Sequence, residues 1–189
     1  MMVPRTPPAI AKILEEKGGI QLDLGCGEFK NTGFVGLDKR ALPGVDIVWD
    51  LEVFPYPLPD ESCWAIVGSH IVEHLKPWLM IDFMNELWRI LKFQGQLAFA
   101  HPYGVNPLFV QDPTHCNPCN EATWQYFDAR YPLYQIYKPK PWLMEKGFPQ
   151  WNISGIMEIY FRKPTPEMLV STPKPEDIIK AEEKEKKNG

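Results

Sequence analysis

The sequence has no run of about 18 apolar residues, so no segment is expected to cross a membrane as a helix. It also lacks an excess of positive charge. Its 20 Lys and Arg against 24 Asp and Glu leave a net charge of -4, which argues against bulk binding to nucleic acid while leaving room for a small local patch. The opening MMVPRTPPAIAKILEEKGG has no apolar signal core, so a cytoplasmic address is expected. Cysteine is scarce. Of Cys26, Cys63, Cys116 and Cys119, two lie in segments that read as buried or ligand-lining, which excludes a disulfide framework as the basis of the fold. No internal repeat is visible. What the chain has in quantity is proline, 20 residues, and aromatics at 13%, both concentrated after residue 100. That pattern predicts long loops ordered by rings.

At 189 residues, 44% of them hydrophobic, the chain is long enough for one domain with a substantial core. Spacing predicts an amphipathic helix over Pro7–Lys17, stopped by Gly18-Gly19. Strands are expected at 20–24, 34–37, 45–49, 64–69 and 96–100. WAIVGS at 64–69 has no polar alternation, as a strand covered on both faces requires. Residues 71–93 read as helical with a break at Lys76-Pro77. Trp78, Ile81, Asn85, Trp88 and Leu91 fall near one face, and Gln94-Gly95 is the stop. Strands alternating with helices imply a mostly parallel sheet. Residues 101–141 have little periodicity and read as a long ordered loop. Segments 141–148 and 153–162 read as a closing strand pair. The domain is expected to span 1–163, with 164–189 a polar, flexible tail.

A glycine turn follows the first strand in LDLGCGEFKNTGFVGLDKR. A pyrophosphate site wants G-x-G-x-x-G opening a helix. Gly25 and Gly27 are present, but Lys30 stands where the third glycine would be. Only about nine residues separate the first two strands, fewer than a helical crossover needs. The helix that would hold a phosphate is therefore short or missing. A ligand with a ribose and no phosphate fits better: two glycines let the backbone approach it, and Asp38 can accept both ribose hydroxyls.

The ordered series LDLGCG, GFVGLDKR, VDIVWDL, PLPDES, SHIVEHL and ELWRILKFQGQLAFA, running from about residue 20 to 162, resembles the class I S-adenosylmethionine-dependent methyltransferases. The likeness is strongest to their small bacterial and phage-type members. It implies a Rossmann-like α/β fold, a mostly parallel sheet with a C-terminal antiparallel strand, and a shortened first crossover. It implies S-adenosyl-L-methionine as cofactor and methyl transfer to an acceptor as the activity, with no metal at the site. By resemblance, Asp23, Gly25, Cys26 and Gly27 border the methionine end and Lys30 the cofactor carboxylate. Asp38 and Lys39 fall at the ribose, Asp50 and Leu51 at the adenine, and Ser69 and His70 at the edge where the methyl moves. Two positions depart from the family pattern. Gln94-Gly95 replaces a Gly-Gly pair, and Trp64 replaces an aspartate at the start of the fourth strand.

The segment HPYGVNPLFVQDPTHCNPCNEATWQYF resembles the acceptor side of the same enzymes, which implies that His101, Asp112 and His115 line it. A histidine near neutral pKa can take a proton from the acceptor as the methyl leaves sulfur, so His70 and His115 are the leading candidates. HIVEH also matches a zinc-hydrolase pattern. On a helix, His70, Glu73 and His74 would share one turn, but the pattern needs a further ligand and a larger chain. His115, Cys116 and Cys119, with His101 or Asp112, give a second, structural-zinc reading. A non-catalytic cofactor-binding module is the remaining alternative. The acceptor class, whether small molecule, nucleotide, sugar or protein end, is open.

Overall fold

The computed structural model describes residues 4–171. The chain builds one eight-stranded sheet in the order β3-β2-β1-β4-β5-β8-β6, with β7 pairing β8 off that path. The first five strands are β1 (Ile20–Leu24), β2 (Val35–Asp38), β3 (Ile47–Val48), β4 (Cys63–Ser69) and β5 (Leu91–Pro102). They pair in parallel. The last three are β6 (Leu143–Met144), β7 (Gln150–Trp151) and β8 (Ile156–Arg162). β8 runs antiparallel to β5, with Phe99 opposite Ile159, and β6 and β7 pair antiparallel with β8. The expected sheet, its antiparallel close and its shortened first crossover are all present.

Helix α1 (Pro8–Lys17) starts on a proline, whose fixed φ suits a first turn. It ends at Gly18 in the left-handed conformation, with the Gly18 N–H donating to Leu14 O at 2.8 Å. Helix α2 (Met80–Ile90) is shorter than its sequence pattern. It stops at Ile90, and β5 begins at the next residue. Gln94 adopts φ 65, the left-handed conformation glycine holds without strain, within β5 rather than at a helix end. The face of α2 turned to the core is Met80, Phe83, Met84, Leu87 and Ile90. The predicted stripe lies beside it: Trp78 is 75% exposed, and Trp88 is half-buried with its indole N–H donating to Pro141 O at 3.0 Å. Burying each large residue on the true face contributes about 1.5–3 kcal/mol. The stretch before α2 is not helical throughout. Val72–His74 and Pro77–Leu79 are separate single 3-10 turns.

Aromatic packing orders residues 101–141 as the composition implies. Three short helices lie within it: α3 (Pro107–Val110), α4 (Glu121–Gln125) and α5 (Tyr134–Tyr137). Trp124 is fully buried, stacked on Phe99 at 5.7 Å and against Phe161 at 6.0 Å. Buried Asp128 receives the Arg130 guanidinium and the Met144 N–H, tying the loop to β6. Beyond β8, Lys163 and Pro164 are buried, so the packed domain continues past the expected boundary at 163. A final helix, α6, covers Pro166–Ser171, and the rest of the expected tail lies outside the described residues. No described helix is long and apolar enough to cross a membrane.

Candidate functional site

The carboxyl ends of β1, β2 and β4 lie side by side, and the glycine turn lies among them. Gly25 and Gly27 adopt φ 62 and 53, a region that costs other residues free energy. Space fixes Gly25 as well, since a Cβ there would lie 2.2 Å from Ile71 Cγ2. No helix forms between Leu24 and Val35. The crossover is closed instead by Asp23, whose Oδ2 accepts the Asn31 backbone N–H at 2.8 Å and its side-chain amide at 2.9 Å. Cys26 is buried. Burial pushes its thiol up first, and the carboxylates of Asp23 and Asp38 push it further.

Asp38 is buried and well supplied with donors. Oδ2 accepts the Gly27 N–H at 3.0 Å, and Oδ1 accepts the Arg40 N–H at 2.9 Å and Arg40 Nε at 3.3 Å. Burial would raise this carboxyl, but the Arg40 and Gly27 donors outweigh it and hold it below its ordinary value. Lys30, expected at the cofactor carboxylate, turns instead to Asp46, Nζ to Oδ2 at 2.6 Å. The same oxygen takes the Gly36 N–H. Lys39 is exposed. Asp50 and Leu51 follow β3, with Asp50 exposed and its Oδ1 accepting the Glu52 N–H at 3.0 Å. Ser69 ends β4.

On the other side of β4 the chain enters the turn 70–75. His70 adopts φ 55, with its N–H on Ala100 O at 2.8 Å. Its Nδ1 lies 3.0 Å from Oε1 of fully buried Glu73. That bond raises His70 above its ordinary value against the opposing effect of burial. The loop 112–119 is sewn to this turn. The Cys116 and Asn117 N–H groups donate to Glu73 O at 2.8 and 3.1 Å, and the Asn117 amide donates to Val72 O at 3.1 Å. Thr114 Oγ1 donates to Asp112 Oδ1 at 2.7 Å and lies 3.1 Å from His74 Nδ1. His115 Nδ1 donates to Phe109 O at 2.8 Å, and its Nε2 stands 3.8 Å from Asp112 Oδ2.

Three sequence expectations change here. His101 does not face an acceptor. It is 1% exposed, its Nδ1 donates to Pro102 O at 2.9 Å, and its Nε2 accepts from the Trp124 indole at 3.2 Å. Both nitrogens are used inside the core, and burial holds the ring below its ordinary value. His70, Glu73 and His74 do not present one helical face, because the turn is 3-10 and His70 faces Glu73. The H-C-x-x-C cysteines do not converge either. Cys119 is fully buried, its thiol pushed up to about 12 by burial, whereas Cys116 is exposed with Sγ on the His74 and Leu75 carbonyls at 3.5 Å. Trp64 covers Gly19, where a Cβ would lie 2.5 Å from its Nε1. Arg40, Asn31 and Thr114 hold the site's carboxylates and His74, and sequence reading missed all three. An arginine two residues after the ribose-type acid was the one visible signal.

Two surface clefts lie away from these strand ends. One, of about 750 Å³, is bordered by Trp88, Arg89, Lys140 and Lys163; the other, of about 390 Å³, by Arg130, Tyr131 and Lys146. Neither cleft is lined by the glycine turn, Asp38, His70 or His115.

No protein-family model matches the chain, and no curated protein is similar to it in sequence. Solved structures are similar in fold. A SAM-dependent methyltransferase from Archaeoglobus fulgidus is 16% identical, with a TM-score of 0.55 over 82% of this chain and 93% of that one. A chain from the complex of the Haloferax volcanii Trm112 methyltransferase activator with a candidate methyltransferase is 14% identical, with a TM-score of 0.56 over 82% and 89%. A candidate methyltransferase from Bacillus halodurans is 16% identical, with a TM-score of 0.52 over 84% and 100%. Together with strand order β3-β2-β1-β4-β5-β8-β6 and its antiparallel close, these likenesses show that the chain has the Rossmann-like fold of the class I S-adenosylmethionine-dependent methyltransferases.

Proposed function

We propose that the protein binds S-adenosyl-L-methionine across the carboxyl ends of β1 to β4 and transfers its methyl group to an acceptor on the histidine side. The observation that carries this reading is the pairing of a left-handed glycine turn with a buried carboxylate, joined by the 3.0 Å bond from Gly27 N–H to Asp38. A carboxylate offers about four lone-pair positions. Three of Asp38's are taken, one of them by the Arg40 side chain, which is 62% exposed. When that guanidinium swings out, two positions open, the number that two ribose hydroxyls need. Backbone at Gly25, Cys26 and Gly27, with Asp23 behind it, would border the methionine end together with Ser69. Asp50 has Oδ2 available for an exocyclic amine, and the Leu51 N–H would serve a ring nitrogen.

The transfer itself is in-line displacement at a sulfonium carbon, and the leaving thioether is neutral. Positioning therefore supplies most of the catalysis, and acid assistance is not required. His70 has Nδ1 on Glu73, which leaves Nε2 open to accept a proton from the acceptor. Asp112 and His115 would wall the same side. Isothermal titration with S-adenosyl-L-methionine and its demethylated product tests the cofactor. Mass-spectrometric detection of that product across acceptor panels tests transfer. Cofactor affinity in Asp38→Ala equal to that of the unaltered protein would refute the ribose assignment.

A further inference from the structure

One potential ligand atom of each of Glu73, His74 and His115 lies within 4.8 Å of the other two. Among the described residues, no other three His, Cys, Asp or Glu side chains do so. We propose that these three side chains form a binding site for a divalent metal ion of the zinc class.

Glu73 supplies the first reason. Its Oε1 is held by His70, while Oε2 is buried and has no hydrogen-bond partner. A buried carboxylate oxygen without a partner is costly unless a cation or donor reaches it. The second reason lies in the tautomers. His115 Nδ1 faces the Phe109 carbonyl, which only accepts, so Nδ1 carries the proton and Nε2 has the free lone pair. Thr114 Oγ1 has one proton and donates it to Asp112, so it accepts from His74. His74 Nδ1 therefore also carries the proton, and its Nε2 has the free lone pair. Each of the three ligands is thus oriented through its other atom: Glu73 by His70, His74 by Thr114, His115 by the Phe109 carbonyl. Metal sites are commonly supported in this way.

The third reason is construction. Two of the ligands lie in the turn after β4 and one in the loop after β5. The bonds of Cys116 and Asn117 to Glu73 O, and of Asn117 to Val72 O, clamp those segments together. Two neutral imidazoles and one carboxylate suit zinc and its neighbours rather than magnesium or calcium, and three protein ligands leave one position open. Ligand atoms around tetrahedral zinc stand roughly 3.4 Å apart, so a shift of about 1 Å, chiefly in the exposed His74 ring, closes the set. Asp112 Oδ2, 3.8 Å from His115 Nε2, adds negative charge at the rim. The set differs from both zinc patterns visible in the sequence: it excludes His70, Cys116 and Cys119, and it takes its third ligand from 41 residues beyond His74.

The test is metal content. Protein stripped with chelator, loaded with Zn²⁺ and desalted should retain about one equivalent by elemental analysis, and Co²⁺ in its place should give the visible absorption of a four-coordinate site. His74→Ala and His115→Ala should retain none. His74 is exposed, so a preserved melting curve keeps that variant informative even where His115→Ala fails to fold. Glu73→Gln and His70→Ala should weaken binding, the latter by about 10- to 100-fold, as loss of an orienting partner does. Cys116→Ser should keep the full equivalent. No uptake by the unaltered protein, full uptake by His74→Ala, or loss in Cys116→Ser would each overturn the site. None of these measurements depends on methyl transfer.

Discussion

The two sides of β4 hold their buried carboxylates in opposite ways. On the β1–β2 side, Asp38 and Asp23 are tied to backbone N–H groups within a short stretch of chain. On the far side of β4, Glu73 has one partner and one bare oxygen, and its surroundings arrive from Cys116 and Asn117 in the loop after β5. The first side is a backbone device, set by glycines and local bonds. The second is a side-chain device, set by rings and by a loop docked on a turn. The difference predicts different vulnerabilities.

Trp124 should show the largest effect, on the second side. It is fully buried among Phe99, His101, Phe127 and Phe161, and it donates to His101. Trp124→Ala should cost about 3–5 kcal/mol of stability by urea unfolding. It should also increase hydrogen exchange through 101–119 while leaving the glycine turn protected. Equal loss of protection in the turn would mean that the two sides are one cooperative unit.

Gly25 probes the first side. Alanine there would be strained at φ 62 and would meet Ile71 at 2.2 Å, so a loss of about 2–4 kcal/mol is expected. Cutting Ile71 back to alanine in the same chain should recover the steric part and leave the backbone part. A double-mutant cycle separates them. Complete recovery would show that contact, not backbone conformation, fixes the turn.

These sites also mark what the sequence made legible. The parallel strands, the glycine turn and the acid at the end of β2 were readable because each depends on residues close in sequence: apolar runs, two glycines, an acid ending a strand. The missing crossover helix was readable by counting residues. The face of α2 was misplaced because Trp78 and Trp88 are large enough to look like core, yet the packing partner, Phe99, selects Phe83 and its neighbours. His101 looked like His115 in a loop of histidines and prolines. Only the fold shows that one ring is packed against Trp124 in the core and the other against His74 and Phe109 beside Glu73. The grouping of Glu73, His74 and His115 was illegible for the same reason, since nothing local to residue 115 points to residue 73.

Asp38 gives a smaller and pH-dependent effect. Its folded pKa is depressed, so its contribution to stability is present above the unfolded value of about 3.9 and is lost as pH falls through the folded value. Asp38→Asn should therefore flatten the acid limb of stability below about pH 5. Wild-type and variant curves that stay parallel from pH 5 to 2.5 would show that the Arg40 and Gly27 bonds do not favour the charged form.

The smallest effect should come from Lys30, and it sharpens the contrast most. The Lys30–Asp46 pair is partly exposed, with side chains 25% and 35% accessible, and pairs of that kind contribute about 0–1 kcal/mol. Its stem also lies over Gly36, where a Cβ would come within 2.7 Å of Lys30 Cδ. Lys30→Met keeps the stem and removes the charge. If the ammonium only braces the backbone through Asp46, stability should fall by under about 1 kcal/mol and cofactor affinity by less than about threefold. A tenfold loss of affinity at unchanged stability would instead mean that Lys30 leaves Asp46 for the cofactor carboxylate on binding. The β1–β2 side would then also work through a side chain that changes partners, as the Arg40 guanidinium is proposed to do.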